Sequence, residues 1–345
     1  MEKVVVDYIY KNYFSARSKA REDVNVIAQR NGFKPFLINT RTTTEQAGNN
    51  SFFKKFGYNL RKLFILFGAI LSIRPKTVVL FQYPFAPLGE FFTLFFCRCL
   101  KLKKCHLIIM VHDLVHYRET QVFDNYEIKI LNTASELIVH TPKMQELFMQ
   151  NGVNRPCEIL WLFDYITTEA PNTNTQETSE VAFAGALDKS AFLRDMQQIQ
   201  YKKLKLHLYG NQPKDTSSYP QWMKYIGRFS PENITMLHES WGLSWDGEGI
   251  DSYKGAIGNY LKYISPHKVS LYIAAGLPVI ICKESALAEY IEKNKLGITI
   301  NSLHEIDDAV MGLSSNEIRT IRQNVLEMSA RLRSGEMLGN IIAEK

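Results

Sequence analysis

Short apolar runs alternate with helical stretches almost from end to end of the chain. In the first half the runs are KVVVDYIY (3–10), FKPFLINT (33–40), KTVVLFQYP (76–84), CHLIIMVHD (105–113), ELIVHT (136–141) and CEILWLF (157–163). Helical patterns fall between them at 16–30, 52–73, 88–101, 124–133 and after residue 141. The runs are nearly continuous in apolar residues, not alternating, which marks strands covered on both faces. The polar stretch EAPNTNTQETSE (169–180) has no apolar period and reads as a linker. The alternation then restarts with EVAFAG, LKLHLYG, MKYIGRF, WGLSWDG, a helix opening at ISPHK, LPVIICK and LGITINS. The pattern predicts an α/β protein of two Rossmann-like doubly wound domains, at 1–168 and 181–314. Helices at 315–345 have no following strand and are expected to pack back on the first domain.

A chain of 345 residues exceeds what one core usually holds, which agrees with two domains. Its net charge of +6 suits an anionic ligand or a membrane surface and is too small to argue for nucleic acid. The five cysteines, with no Cys-x-x-Cys pair, read as reduced core residues of a cytoplasmic protein. The longest apolar runs, LFILFGAILSI (63–73) and FFTLFFC (91–97), are too short to span a bilayer. The helix at 52–76 is basic at its start and apolar after. Two readings stand for it: peripheral contact with the inner face of a membrane, or a sheet-covering helix with its lysines in water.

In open parallel sheets ligands bind outside the carboxyl ends of the strands. Those ends hold AGALDKSAFL with Gly185 and Lys189, YGNQP after Tyr209, Arg228, the loop WGLSWDGEG with Trp245 and Asp246, and ISPHK. Glycines there let backbone approach a ligand, the cations supply charge, and Tyr209 offers an aromatic face to a base. ISPHK is unusual. Ser265 suits a helix cap and Pro266 the first helical position, yet His267 and Lys268 follow where the helix dipole disfavours cations. A diphosphate at Ser265–Lys268 would reverse that sign; a solvated lysine on an exposed turn is the plainer account. No G-x-G-x-x-G, P-loop or Asp-x-Asp is present. What remains is a nucleotide diphosphate held by a helix end and lysine, with no metal and no cofactor beyond the donor.

Transfer from such a donor needs a base. Asp113, at the end of HLIIMV, is the candidate, with His112 the alternative and Arg118 orienting the acceptor. A residue capping a turn is the competing account of Asp113. The four-residue spacing of His112 and His116 suggests zinc only if the segment is helical, and it follows a β-rich run. Ser15, Ser18 and Lys19 either cap the first helix or touch donor or acceptor. Trp245 and Asp246 line a sugar pocket, or the tryptophan is core.

GLSWDG (242–247), followed by NYLKYISPHKVSLYIAAGLPVIICKESALAEYI, resembles the C-terminal half of bacterial sugar transferases of GT-B architecture. The relatives in view are the β-1,6-galactofuranosyltransferases and the glucosyltransferases that extend N-acetylglucosamine on serine-rich adhesins. SARSKAREDVNVIAQRNGF (15–33) and VHDLVHYR (111–118) are similar to that family's N-terminal signatures. The resemblance implies two domains facing a cleft and a metal-independent, inverting transfer of a hexose from a UDP-sugar to a lipid-linked or protein-linked glycan. It implies that Lys268 holds the diphosphate, that Tyr209 lies near the nucleoside and that Lys189 contacts phosphate, and it allows a homo-oligomer. Many relatives carry an Asn shortly before Pro-His-Lys where this chain has Ile264 and Ser265, so no Asn-mediated donor contact is carried over. Two alternatives remain: a catalytically silent GT-B module that stabilises a partner transferase, and an epimerase or hydrolase on the same architecture.

Overall fold

The computed structural model describes residues 1–8, 16–38, 52–173 and 179–345, without the side chains of Ala16, Arg17, 52–56 and Tyr58. Ser15 lies outside the described residues. The chain forms two compact units, one of 1–13, 21–160 and 338–345, the other of 14–20 and 161–337.

The first unit is built from β1 (Lys3–Tyr8), α1 (Ala16–Arg30), β2 (Lys34–Ile38), α2 (Phe52–Ser72), β3 (Val78–Tyr83), α3 (Glu90–Leu102), β4 (His106–Val111), α4 (Val115–Thr120), α5 (Asn125–Leu131), β5 (Glu136–Val139), α6 (Pro142–Gln150) and β6 (Cys157–Ile159). Among the described residues its strands make one parallel sheet, ordered β2-β1-β3-β4-β5-β6. β3 and β5 are buried at every position, as unbroken apolar runs require when helices cover both faces. α5 starts in a capping box, with Asp124 receiving the Tyr126 N–H and Glu127 reaching back.

The second unit repeats the plan with β7 (Glu180–Ala184), α7 (Phe192–Met196), β8 (Lys205–Tyr209), β9 (Met223–Gly227), β10 (Trp241–Ser244), α8 (Gly255–Tyr260), α9 (His267–Ala274), β11 (Val279–Cys282), α10 (Ala288–Lys293), β12 (Gly297–Ile300), α11 (Ile306–Met311) and α12 (Ser315–Ser334). Its sheet is also parallel, ordered β12-β11-β10-β7-β8-β9. The two expected Rossmann-like layers are therefore present, one in each unit. The change of unit falls between Leu160 and Trp161, ahead of the polar stretch 169–180. Trp161 explains the position: its ring stacks on Tyr290, 4.8 Å between centroids, and so joins the second core. The C-terminal helices divide. α12 packs on α9 within the second unit, whereas α13 (Glu336–Ile342) falls mostly with the first. There Lys345 Nζ pairs with Glu136, at 2.7 Å.

Candidate functional site

In the second unit the strand order turns back between β7 and β10, the kind of point where a crevice opens outside the carboxyl ends of a parallel sheet. Gly185 follows β7 and Asp246 lies just past β10, so both stand at this reversal. α9 is pinned there by Tyr272. Its ring lies against Gly242, where a Cβ would come within 2.2 Å of Tyr272 Cγ. Its hydroxyl accepts the Ala184 N–H at 2.8 Å, at the end of β7. Only glycine at 242 allows this approach.

The first turn of α9 has no side-chain cap, and its N-cap is Pro266. Ser265 is thus not the cap expected from sequence; the helix begins one residue later, and Ser265 is buried. Lys268 Nζ donates to Asp246 Oδ2 at 2.7 Å and to the Trp245 carbonyl at 3.2 Å. It also stands 4.4 Å from the Phe183 ring centroid. Ser190 Oγ donates to the other Asp246 oxygen at 3.3 Å. The expected cation is therefore at the switch point beside Gly185, whose Cβ position would be 3.5 Å from Nζ. Its charge is matched by a carboxylate.

The other expected donor residues separate. His267 is not a second cation: burial, and then the charge of Lys19, lower its pKa to about 3, and its ring packs on Phe163 and Tyr165. Tyr209 is 4% exposed and offers no free face. Its hydroxyl donates to Glu239 at 2.7 Å, which also pairs with His207 Nδ1 at 2.8 Å. Burial alone would raise the Glu239 carboxyl, but these hydrogen bonds outweigh it and hold it low. Trp245 has no exposed surface; its Nε1 donates to the Gly249 carbonyl at 3.1 Å, so the indole is core and only its backbone meets Lys268. Lys189 is exposed in the loop after β7, and Arg228 is exposed beyond β9 at the sheet edge, two strands from the reversal. Ser18 and Lys19 are buried. Lys19 Nζ donates to the Ile166 carbonyl at 2.5 Å and pairs with Glu232 at 3.3 Å.

In the first unit the order turns back between β1 and β3. Asp113 lies past β4, and Arg118 of α4 donates to its Oδ2 at 2.5 Å, so these two expected residues do meet. His112 Nε2 bonds Gln82 Oε1 at 2.8 Å. Behind it lies a network that sequence reasoning missed. Arg21 pairs with Asp7 at 2.7 Å, both buried, and Gln82 bonds Asp7 Oδ2 at 3.2 Å and Asn25 Oδ1 at 2.8 Å. The signal was visible: an acid inside the apolar run of β1 needs a buried partner. α4 was also missed. It starts at Val115, past His112, so His112 and His116 do not share a helical face.

Two family profiles match the chain, the glucosyltransferase 3-like N-terminal domain over 3–161 and the glucosyltransferase 3-like C-terminal domain over 181–345. β-1,6-Galactofuranosyltransferase WbbI of Escherichia coli is 27% identical, covering 80% of this chain and 81% of its own. Glucosyltransferase 3 of Streptococcus gordonii is 25% identical over 78% of each. Among solved structures, sucrose-phosphate synthase from Thermosynechococcus elongatus superposes with a TM-score of 0.62 at 13% identity, over 100% of this chain and 98% of that one. Anabaena HepE in complex with UDP-glucose gives 0.60 at 10%, over the same shares. At these identities the likeness is one of fold, that of GT-B glycosyltransferases. With both halves matched by profiles of one family, the chain belongs to the glucosyltransferase 3-like family of glycosyltransferases.

Proposed function

We propose that the protein transfers a hexose from a UDP-sugar to a hydroxyl of a lipid-linked or protein-linked glycan, with inversion and without a metal ion. The observation that carries this reading is the uncapped first turn of α9 at the switch point, with Lys268 beside Gly185. Free amides and a cation at one helix end suit a diphosphate. The names of the relatives support a hexose, and the UDP-glucose that HepE holds on this fold supports a UDP donor. Metal independence rests on the lack of Asp-x-Asp in the sequence.

In the proposed step the acceptor hydroxyl attacks the anomeric carbon and Asp113 takes its proton. The bond to the diphosphate oxygen breaks, and UDP leaves with its new charge facing Lys268 and the helix amides. Arg118 holds the Asp113 carboxylate in one orientation through their 2.5 Å contact.

The test is calorimetric titration with UDP, in EDTA, paired with UDP release from a panel of UDP-hexoses with and without acceptor. Lys268→Ala should weaken UDP binding about ten- to a hundredfold, the value of a charge-assisted hydrogen bond. Asp113→Asn should keep UDP affinity and lose transfer. Unchanged affinity in the first variant removes the donor site from α9; near-normal turnover in the second removes the base. Binding without turnover in the wild type points to a silent module, and turnover without acceptor to a hydrolase or epimerase.

A further inference from the structure

α2 and α3 both expose apolar stripes. In α2 the side toward the core carries Leu66, Ala69 and Ile70, yet Phe64, Phe67 and Leu71 on the opposite side are 71%, 58% and 67% exposed. In α3, Phe91, Phe95 and Leu102 face outward, with Leu102 82% exposed. These positions recur at helical spacing along one face of each helix. The crossovers β2-α2-β3 and β3-α3-β4 advance the same way along the sheet, which puts both helices on one face of it. The helices touch and are clamped by lysines turned inward: Lys62 Nζ donates to the Leu88 carbonyl at 3.0 Å and Lys103 Nζ to the Ile70 carbonyl at 2.5 Å. The stripes therefore adjoin and form one apolar patch, larger than scattered surface residues would give.

The charge around that patch is one-sided. Residues 52–104 hold ten Lys and Arg against one acid, Glu90, a net +9 in a chain whose whole net charge is +6. Arg61, Arg98, Lys101 and Lys104 are exposed on or beside the two helices. A second copy docking here through a two-fold axis would set this charge against itself. An anionic bilayer meets both requirements, accepting the aromatic side chains below the headgroups and pairing the cations with phosphates.

We propose that the α2–α3 face of the first unit docks on a bilayer containing anionic phospholipid. The inference is independent of the transferase reading, since vesicle binding needs no donor. It accounts for the outward turn of Phe64 and Phe67 and the inward turn of Lys62, and favours membrane contact over the reading of a sheet-covering helix with its lysines in water.

The experiment is flotation of the full chain with vesicles of phosphatidylcholine, with and without phosphatidylglycerol, alongside light scattering after gel filtration. The wild type should float with phosphatidylglycerol vesicles, less so as salt is raised, and hardly at all with phosphatidylcholine alone. Phe64→Ser with Phe67→Ser should lower partitioning about tenfold or more. Arg98→Glu with Lys101→Glu should lower it comparably. Thermal unfolding like that of the wild type verifies that the variants fold. A wild type that stays with the unbound fraction, or serine variants that float as it does, overturns the proposal. So does an oligomer that the serine variants dissolve, which would assign the face to a second copy of the chain.

Discussion

A lysine at the start of a helix is useful to a diphosphate only to the extent that nothing else holds it. Lys268 is held, by Asp246 at 2.7 Å, and the pair is partly open to solvent, with side chains 15% and 26% exposed. The carboxylate restrains the ammonium toward the switch point and also repels an incoming anion. An ion pair of this exposure holds the ammonium by at most about 1 kcal/mol, so the repulsion of the anion is expected to dominate. Asp246→Asn keeps the shape and a hydrogen-bond acceptor while removing the negative charge. UDP should then bind more tightly, by about fivefold, in a calorimetric titration at low salt. A weaker complex would mean that the carboxylate's main role is to aim Lys268. The same scale explains why Tyr209 was expected to face a base and why Trp245 was left open between pocket and core. An aromatic residue at a strand end looks alike whether it faces a ligand or the core, and only Glu239 and Gly249, distant or unremarkable in sequence, reveal where their polar atoms go.

At the scale of elements, the position of α9 depends on a single absent methyl group. An alanine at 242 would bring its Cβ to 2.2 Å from Tyr272 Cγ, in a fully buried place. The ring must move, and with it the hydrogen bond to the Ala184 N–H. Gly242→Ala should cost about 1–3 kcal/mol in urea unfolding, the usual range for overpacking, and should weaken UDP binding as α9 shifts. A variant as stable as the wild type would show that the sheet yields more easily than the ring. Both parallel sheets were legible because unbroken apolar runs such as VVLFQY have few other uses. Asp113 and Lys268 were legible as strand-end and helix-start residues for the same reason. The six-residue α4 was not, being too short for a helical period to show. Nor was the outward turn of Phe64 and Phe67, because an apolar residue in a helix is ordinarily read as part of its covered face. The buried Asp7–Arg21–Gln82 network joins residues up to 75 positions apart, a pairing that local pattern does not encode.

Across the whole molecule, stability is tied to pH by one histidine in each unit and, in the opposite sense, by the half-buried Glu90 of the first. In the first unit, burial lowers the His140 imidazole to about 4, partly opposed by its bond with the Val111 carbonyl. In the second, His267 is lowered further, to about 3. The unfolded chain binds these protons near pH 6.5 and the folded chain does not. Stability is therefore full above that pH and is lost as pH falls toward 4, by about 3 kcal/mol for His140 alone. Glu90 acts the other way. Burial, then the neighbouring Asp124 and Glu127, raise its carboxyl to about 7, so the folded chain holds a proton that the unfolded chain releases near 4.5. Its contribution falls as pH climbs from about 4.5 to 7 and is flat beyond. Glu90→Gln removes that slope alone and leaves both histidines in place. The thermal midpoint of the Gln variant, measured against the wild type from pH 5 to 8, should gain steadily up to about pH 7 and then hold. If the difference between the two proteins stays constant over that range, the Glu90 carboxyl titrates as it would in water and the acidic neighbours exert no net hold on it.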